Sequence, residues 1–111
     1  MTHPTPVRTP RFGVWAPVYG AWATRSDPND PPDASYARTR EVVRTAELHG
    51  FSATLVAQHI VSPQSPEYDV LETWTAAAAL AEATDSIELI AAIKPLLFHP
   101  GVLAKLATGI D

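Results

Sequence analysis

His59 is the side chain in this sequence best placed to do chemistry. It follows the apolar run 51–57 directly, in Ala57-Gln58-His59, and an imidazole of near-neutral pKa suits either proton transfer or contact with a bound cofactor or anion. A histidine that only hydrogen-bonds a loop has the same signature, so both roles stand. His49 falls in the last turn of an expected helix, where it answers the helix dipole, and His99 stands just before Pro100, where a helix should open. Trp15 and Trp22 flank the end of the first apolar run; Trp15 either walls a pocket for a planar ligand or belongs to the core, and Trp22 suits a mobile loop. Ala91-Ala92 removes side-chain bulk, either for tight packing or so that a flat ring can approach the backbone. The alanines from 76 to 79 suit close helix packing, within the domain or against a second subunit.

Other chemistries are closed off. The chain has no cysteine, which excludes a disulfide framework, a thiolate metal site and a thiol nucleophile. Histidines 3, 49, 59 and 99 show no i,i+3 or i,i+4 spacing, and Asp27-Pro28-Asn29-Asp30-Pro31-Pro32 puts proline where a calcium loop needs glycine, so no metal is expected. Neither G-x-G-x-x-G nor G-x-x-x-x-G-K-[ST] occurs, which removes the usual nucleotide sites. Eight Lys+Arg against twelve Asp+Glu give a net charge of −4 without a basic stripe, so neither nucleic acid nor an anionic membrane is an expected partner. Residues 1–10 lack the apolar core of a signal peptide, and no run of about 18 apolar residues is present to span a bilayer. The expected location is the cytoplasm.

The elements that must position these residues follow from 111 residues that are 46% hydrophobic, with eleven prolines lying mostly ahead of residue 64. Residues 1–10 read as an unstructured leader. The run 12–16, closed by Pro17, reads as a buried first strand, and 18–32 as a long polar loop. With Asp33 as N-cap and Gly50 as a left-handed stop, 36–49 reads as a helix. Residues 51–57 form the second strand. Asp69 and Glu72 stand three apart as in a capping box ahead of an alanine-rich helix over 74–83. The third strand, 87–93, reads as buried on both faces except at Glu88, and Pro100 opens a third helix. The βαβαβα order with near-continuous apolar strands predicts an α/β fold with parallel strands covered by helices. Units of this size match the first three of a (β/α)8 barrel of about 250 residues, a TIM barrel apparently truncated here, and a doubly wound sheet is the competing architecture.

Taken together, Phe12-Gly13-Val14-Trp15, Glu47-Leu48-His49-Gly50-Phe51, Gln58-His59 and Ile90-Ala91-Ala92-Ile93-Lys94-Pro95 followed by His99-Pro100 resemble the bacterial luciferase-like flavin-dependent monooxygenases. Within them the sequence resembles the alkanesulfonate and dimethylsulfone monooxygenase branch. The resemblance covers 11–111, as the N-terminal portion of that family's barrel domain. It implies reduced FMN held at the C-terminal mouth of the barrel, oxygen activated on the flavin, attack on a small organic, possibly organosulfur, substrate, and FMNH2 supplied by a separate flavin reductase. It makes His59 the catalytic candidate and Trp15, Ala16, Gln58, Ala91 and Ala92 the cofactor-binding candidates, with a cis peptide between the two alanines. It further implies a homodimer when full length, and little activity in a 111-residue fragment alone. The sequence departs from the family at Gln58-His59, where luciferase α chains have two histidines, and it lacks the cysteine common in alkanesulfonate enzymes. An F420-dependent oxidoreductase of the same barrel superfamily and a non-catalytic α/β interaction module using the 76–79 alanines are the alternative readings.

Overall fold

The structure, a computed structural model, describes residues 8–20, 29 and 33–111. Trp22, His3, most of the expected leader and most of the 18–32 loop therefore lie outside the described residues. Three strands, β1 (Gly13–Trp15), β2 (Ala53–Ala57) and β3 (Glu88–Ala92), form one parallel sheet in the order β1-β2-β3. Helices α1 (Tyr36–Leu48) and α2 (Thr73–Ala83) connect them, and a 3₁₀ turn at Pro95–Leu97 leads from β3 into α3 (Pro100–Ile110). The expected βαβαβα order and parallel sheet are thus present.

Local chemistry fixes the helix boundaries. The N-cap of α1 is Ser35, not Asp33: the Ser35 hydroxyl accepts from the Arg38 amide at 3.2 Å, while Asp33 Oδ1 accepts from the Ser35 amide at 2.7 Å. The hydroxyl reaches the third helical N–H, and the carboxylate two residues earlier supports the cap rather than forming it. At the other end Gly50 has φ +84°, the Gly50 amide donates to Glu47 O at 3.0 Å, and the Phe51 amide donates to Ala46 O at 3.0 Å. That is a Schellman stop, which a side chain at position 50 would strain. Helix α2 is capped by Glu72 itself, whose carboxylate accepts from the Trp74 and Thr75 amides at 3.0 and 2.8 Å. The expected capping box with Asp69 is not formed, because one carboxylate already takes both donors. His99 caps α3 through its ring nitrogen, which accepts from the Gly101 amide at 3.2 Å, with Pro100 in the first turn as expected.

One face of the sheet and the inner faces of the helices share a core that includes Ala16, Val18, Val43, Ala46, Val56, Ala76, Leu80 and Ile87. Leu80, Val43 and Val56 are fully buried, each stabilising the fold by roughly 1.5–3 kcal/mol. Ala76 and Ala77 of the alanine run are buried in this interior, which is the packing role expected of them. Two hydrogen-bond ties fix the layers: Thr73 Oγ1 donates to Ala57 O at 2.8 Å in the buried interior, and the part-buried Tyr36 hydroxyl donates to Ala79 O at 2.8 Å.

Among the described residues no helix covers the other face of the sheet, on which Leu55 is partly buried and Ala57 is buried. Register pairs Trp15 with Leu55 and Leu55 with Ile90, so one row of large apolar side chains crosses all three strands on one face. Trp15 is 60% exposed and Ile90 41%. This corrects the expectations that the first strand is buried and that the third is buried on both faces: the helices pack against one side only, and Glu88 and Ile90 point away from them.

Candidate functional site

The C-terminal ends of β2 and β3 lie side by side. Ala57 pairs with Ala92, the Gln58 amide donates to Ala92 O at 3.0 Å, and the Lys94 amide donates to Gln58 Oε1 at 2.7 Å. In a parallel α/β sheet this end collects functional side chains, because the loops leaving it are free of the packing that fixes the strand interiors.

His59 lies there, two residues beyond the last β2 pair. Its ring meets Tyr19 edge to face, centroids 5.1 Å apart at 80°. Burial, with the Lys94 ammonium second, holds the imidazole below the ordinary histidine value. The ring is therefore neutral at neutral pH and able to accept a proton. No sequence pattern marks Tyr19 or Lys94 as a site residue. Tyr19 follows Pro17 in what looked like a polar loop, and Lys94 closes an apolar run whose register only the pairing reveals.

The cofactor-binding candidates divide by face. Trp15 stands on the open face in line with Leu55 and Ile90, and alternation puts Ala92 on that same face, nearer the rim. Ala91 points the other way, into a cleft of about 650 Å³ that it lines with Trp74, Ala77 and Leu89. The paired alanines thus do not share a surface. Ala16 is 1% exposed and packed in the core; its amide donates to Leu55 O at 3.0 Å and its carbonyl accepts from the Val18 amide at 2.8 Å, so neither side chain nor backbone is presented at the surface. Gln58 is 2% exposed, and its Nε2 is a buried donor with no partner among the described residues. The peptide bond between Ala91 and Ala92 is trans, correcting the cis bond that the resemblance implied.

A planar, largely apolar group fits this arrangement. Trp15, on the exposed apolar row, offers its ring near the rim, Ala92 adds little bulk beside it, and His59, Tyr19 and Lys94 supply the polar edge. No group of three or more His, Cys, Asp or Glu able to hold a metal ion occurs among the described residues.

A parallel α/β sheet whose polar groups gather at the C-terminal rim, beside an open apolar face, defines the class. Within it, the family model for luciferase-like monooxygenases matches residues 11–111, and the chain belongs to that family. Its relatives include the pyrimidine monooxygenase RutA of Caulobacter sp. (strain K31), 31% identical over 106 residues, covering 90% of this chain and 29% of that protein. RutA of Allorhizobium ampelinum is 31% identical over 104 residues, covering 91% of this chain and 28% of that protein. The chain thus spans less than a third of the length of these curated relatives.

Proposed function

We propose that the chain contributes the first three βα units of a (β/α)8 barrel in an FMNH2-dependent monooxygenase, which uses O2 to oxidise a small organic substrate. The single observation that carries this reading is the apolar row Trp15, Leu55, Ile90, with Trp15 and Ile90 exposed on one face of the sheet, leading to His59 at the C-terminal rim. Membership of the luciferase-like monooxygenase family supports it. When bound, reduced flavin supplies the oxygen chemistry. The chain's own part is to seat the ring on Trp15 and Ala92, to keep water from the apolar floor, and to hold a neutral imidazole at the rim as proton acceptor. The relatives' name favours a pyrimidine-like heterocycle as substrate over an alkanesulfonate or dimethylsulfone. The partners of this reading are a flavin reductase that supplies FMNH2 and a second copy of the protein in a homodimer. Its setting is the cytoplasm; among the described residues no helix is long and apolar enough to cross a membrane.

The test is anaerobic titration of the intact protein with reduced FMN and with reduced F420, followed by admission of isotopically labelled O2 in the presence of uracil or an alkanesulfonate. Binding of reduced FMN and label in an oxidised uracil product are expected. Preferential binding of F420 would favour the oxidoreductase alternative, and binding of neither cofactor would favour a non-catalytic module. His59→Asn should lower kcat about 100-fold and leave the affinity for FMN within a few-fold of wild type. Unchanged turnover would reduce His59 to a structural residue.

A further inference from the structure

One buried side chain ties the exit of β3 to the exit of β2. Gln58 accepts the Lys94 backbone amide on Oε1 at 2.7 Å, while the Gln58 backbone N–H donates to Ala92 O at 3.0 Å. Pro95 lacks an N–H and ends the regular ladder at this point, so the Gln58 contact takes over from the strand pairing. Alternation places the Gln58 side chain on the face of Val56, toward the helices, with 2% of its surface exposed. Extending the Ala57 to Ala92 register by two residues brings His59 and Lys94 alongside each other, on the face that carries Trp15, Leu55 and Ile90. The Lys94 side chain is exposed, and the ion pair found among the described residues joins Arg11 to Glu88, near the opposite ends of the strands. Lys94 thus has a fixed backbone, an ammonium in no ion pair among the described residues, and a place at the rim.

We propose that Gln58 is a positioning residue that holds Lys94 beside His59, so that the Lys94 ammonium is a fixed positive charge for the negative charge a flavin ring gains on reduction. This rests on the flavin reading above. A cation near the ring strengthens binding of the reduced form over the oxidised one, and thereby tunes the cofactor. A cation on the flavin phosphate strengthens both equally, because that charge does not change. The ratio of the two affinities therefore separates ring from phosphate, and both from a general loss of structure.

The experiment measures dissociation constants of oxidised and chemically reduced FMN, without oxygen, for the intact protein and for Lys94→Met, Lys94→Arg, Gln58→Asn and the Gln58→Asn/Lys94→Met double variant. Lys94→Met should lower the preference for reduced FMN about fivefold, in the range of a solvent-exposed charge pair, and Lys94→Arg should restore most of it. Gln58→Asn, one methylene too short to reach the Lys94 amide, should lower the preference in the wild-type background but not in the Lys94→Met background. Gln58→Met, which keeps the length and removes the acceptor, repeats the comparison should Gln58→Asn fail to fold. An unchanged preference in Lys94→Met, or equal weakening of both FMN forms, overturns the charge role. An effect of Gln58→Asn that is the same in both backgrounds overturns the positioning role. A wild-type protein that binds neither form of FMN overturns the flavin reading itself, and this inference with it.

Discussion

His59 stands under two influences of the same sign. Burial disfavours the imidazolium, and the Lys94 ammonium, the weaker cause, disfavours it further; Tyr19 meets the ring edge-on. A histidine held below its ordinary value binds fewer protons in the folded state than in the unfolded one over the interval between the two values. The stability linked to neutral His59 is therefore complete above the ordinary value and is lost as pH falls through the lower, folded value. Titration of the His59 ring by NMR should give a midpoint below 6.5, and Lys94→Met should move it only part of the way back, since burial is the larger cause. A full return to 6.5 in that variant would mean that charge, not burial, dominates. The candidate itself was legible in sequence, because a histidine just past an apolar run is a one-dimensional pattern. Its neighbours were not: that Tyr19 and Lys94 share its surroundings depends on strand register, which composition and spacing do not encode.

Between the helices and the sheet, Glu47 does the joining. From the last turn of α1 its Oε1 accepts the amides of Asp85, Ser86 and Ile87 at 3.0, 2.6 and 2.9 Å, gathering the segment that leads into β3. The Ser86 and Ile87 amides, foremost, hold this carboxyl below its ordinary value. Its contribution to stability is present above the ordinary glutamate value and is lost as pH falls through the depressed one. Glu47→Ala should cost about 1–2 kcal/mol in urea unfolding, from three donors left to water. Glu47→Gln should lose less and should flatten the acid limb of the stability curve; an acid limb unchanged in Glu47→Gln would assign that pH dependence to other groups. Sequence reading located this junction only as a helix followed by a strand. It found the Gly50 stop and the His99 opening because glycine at a left-handed position and a residue before proline have few other uses. It misplaced the caps at Asp33 and Asp69 because Ser35 and Glu72, within three residues, compete for the same amides and the winner is set by backbone direction.

The sheet presents a contradiction that a larger assembly of strands would resolve. One face is buried under α1 and α2, while the other carries Trp15, Leu55 and Ile90 in a row of which Leu55 packs partly against the core and Trp15 and Ile90 are exposed. The reading of β3 as buried on both faces followed from its apolar run Ile87-Glu88-Leu89-Ile90-Ala91-Ala92-Ile93, and such runs are typical of parallel strands enclosed on both sides. The sequence therefore anticipates an environment that the described residues do not build, and the interior of the barrel proposed above, packed with branched apolar side chains, would supply it. Ile90 makes the difference measurable. In the 111-residue chain, where it is 41% exposed, Ile90→Ser should change unfolding stability by less than about 0.5 kcal/mol, as for other surface substitutions. In a longer protein that closes the barrel over this face, the same substitution should cost about 2–4 kcal/mol, the range for a buried aliphatic side chain cut back in a core. Trp15 fluorescence should shift to shorter wavelength between the two, as its ring passes from water to an apolar interior. Equal, small costs in both proteins would mean that the Trp15, Leu55 and Ile90 face stays open to solvent, and the barrel reading would fall with it.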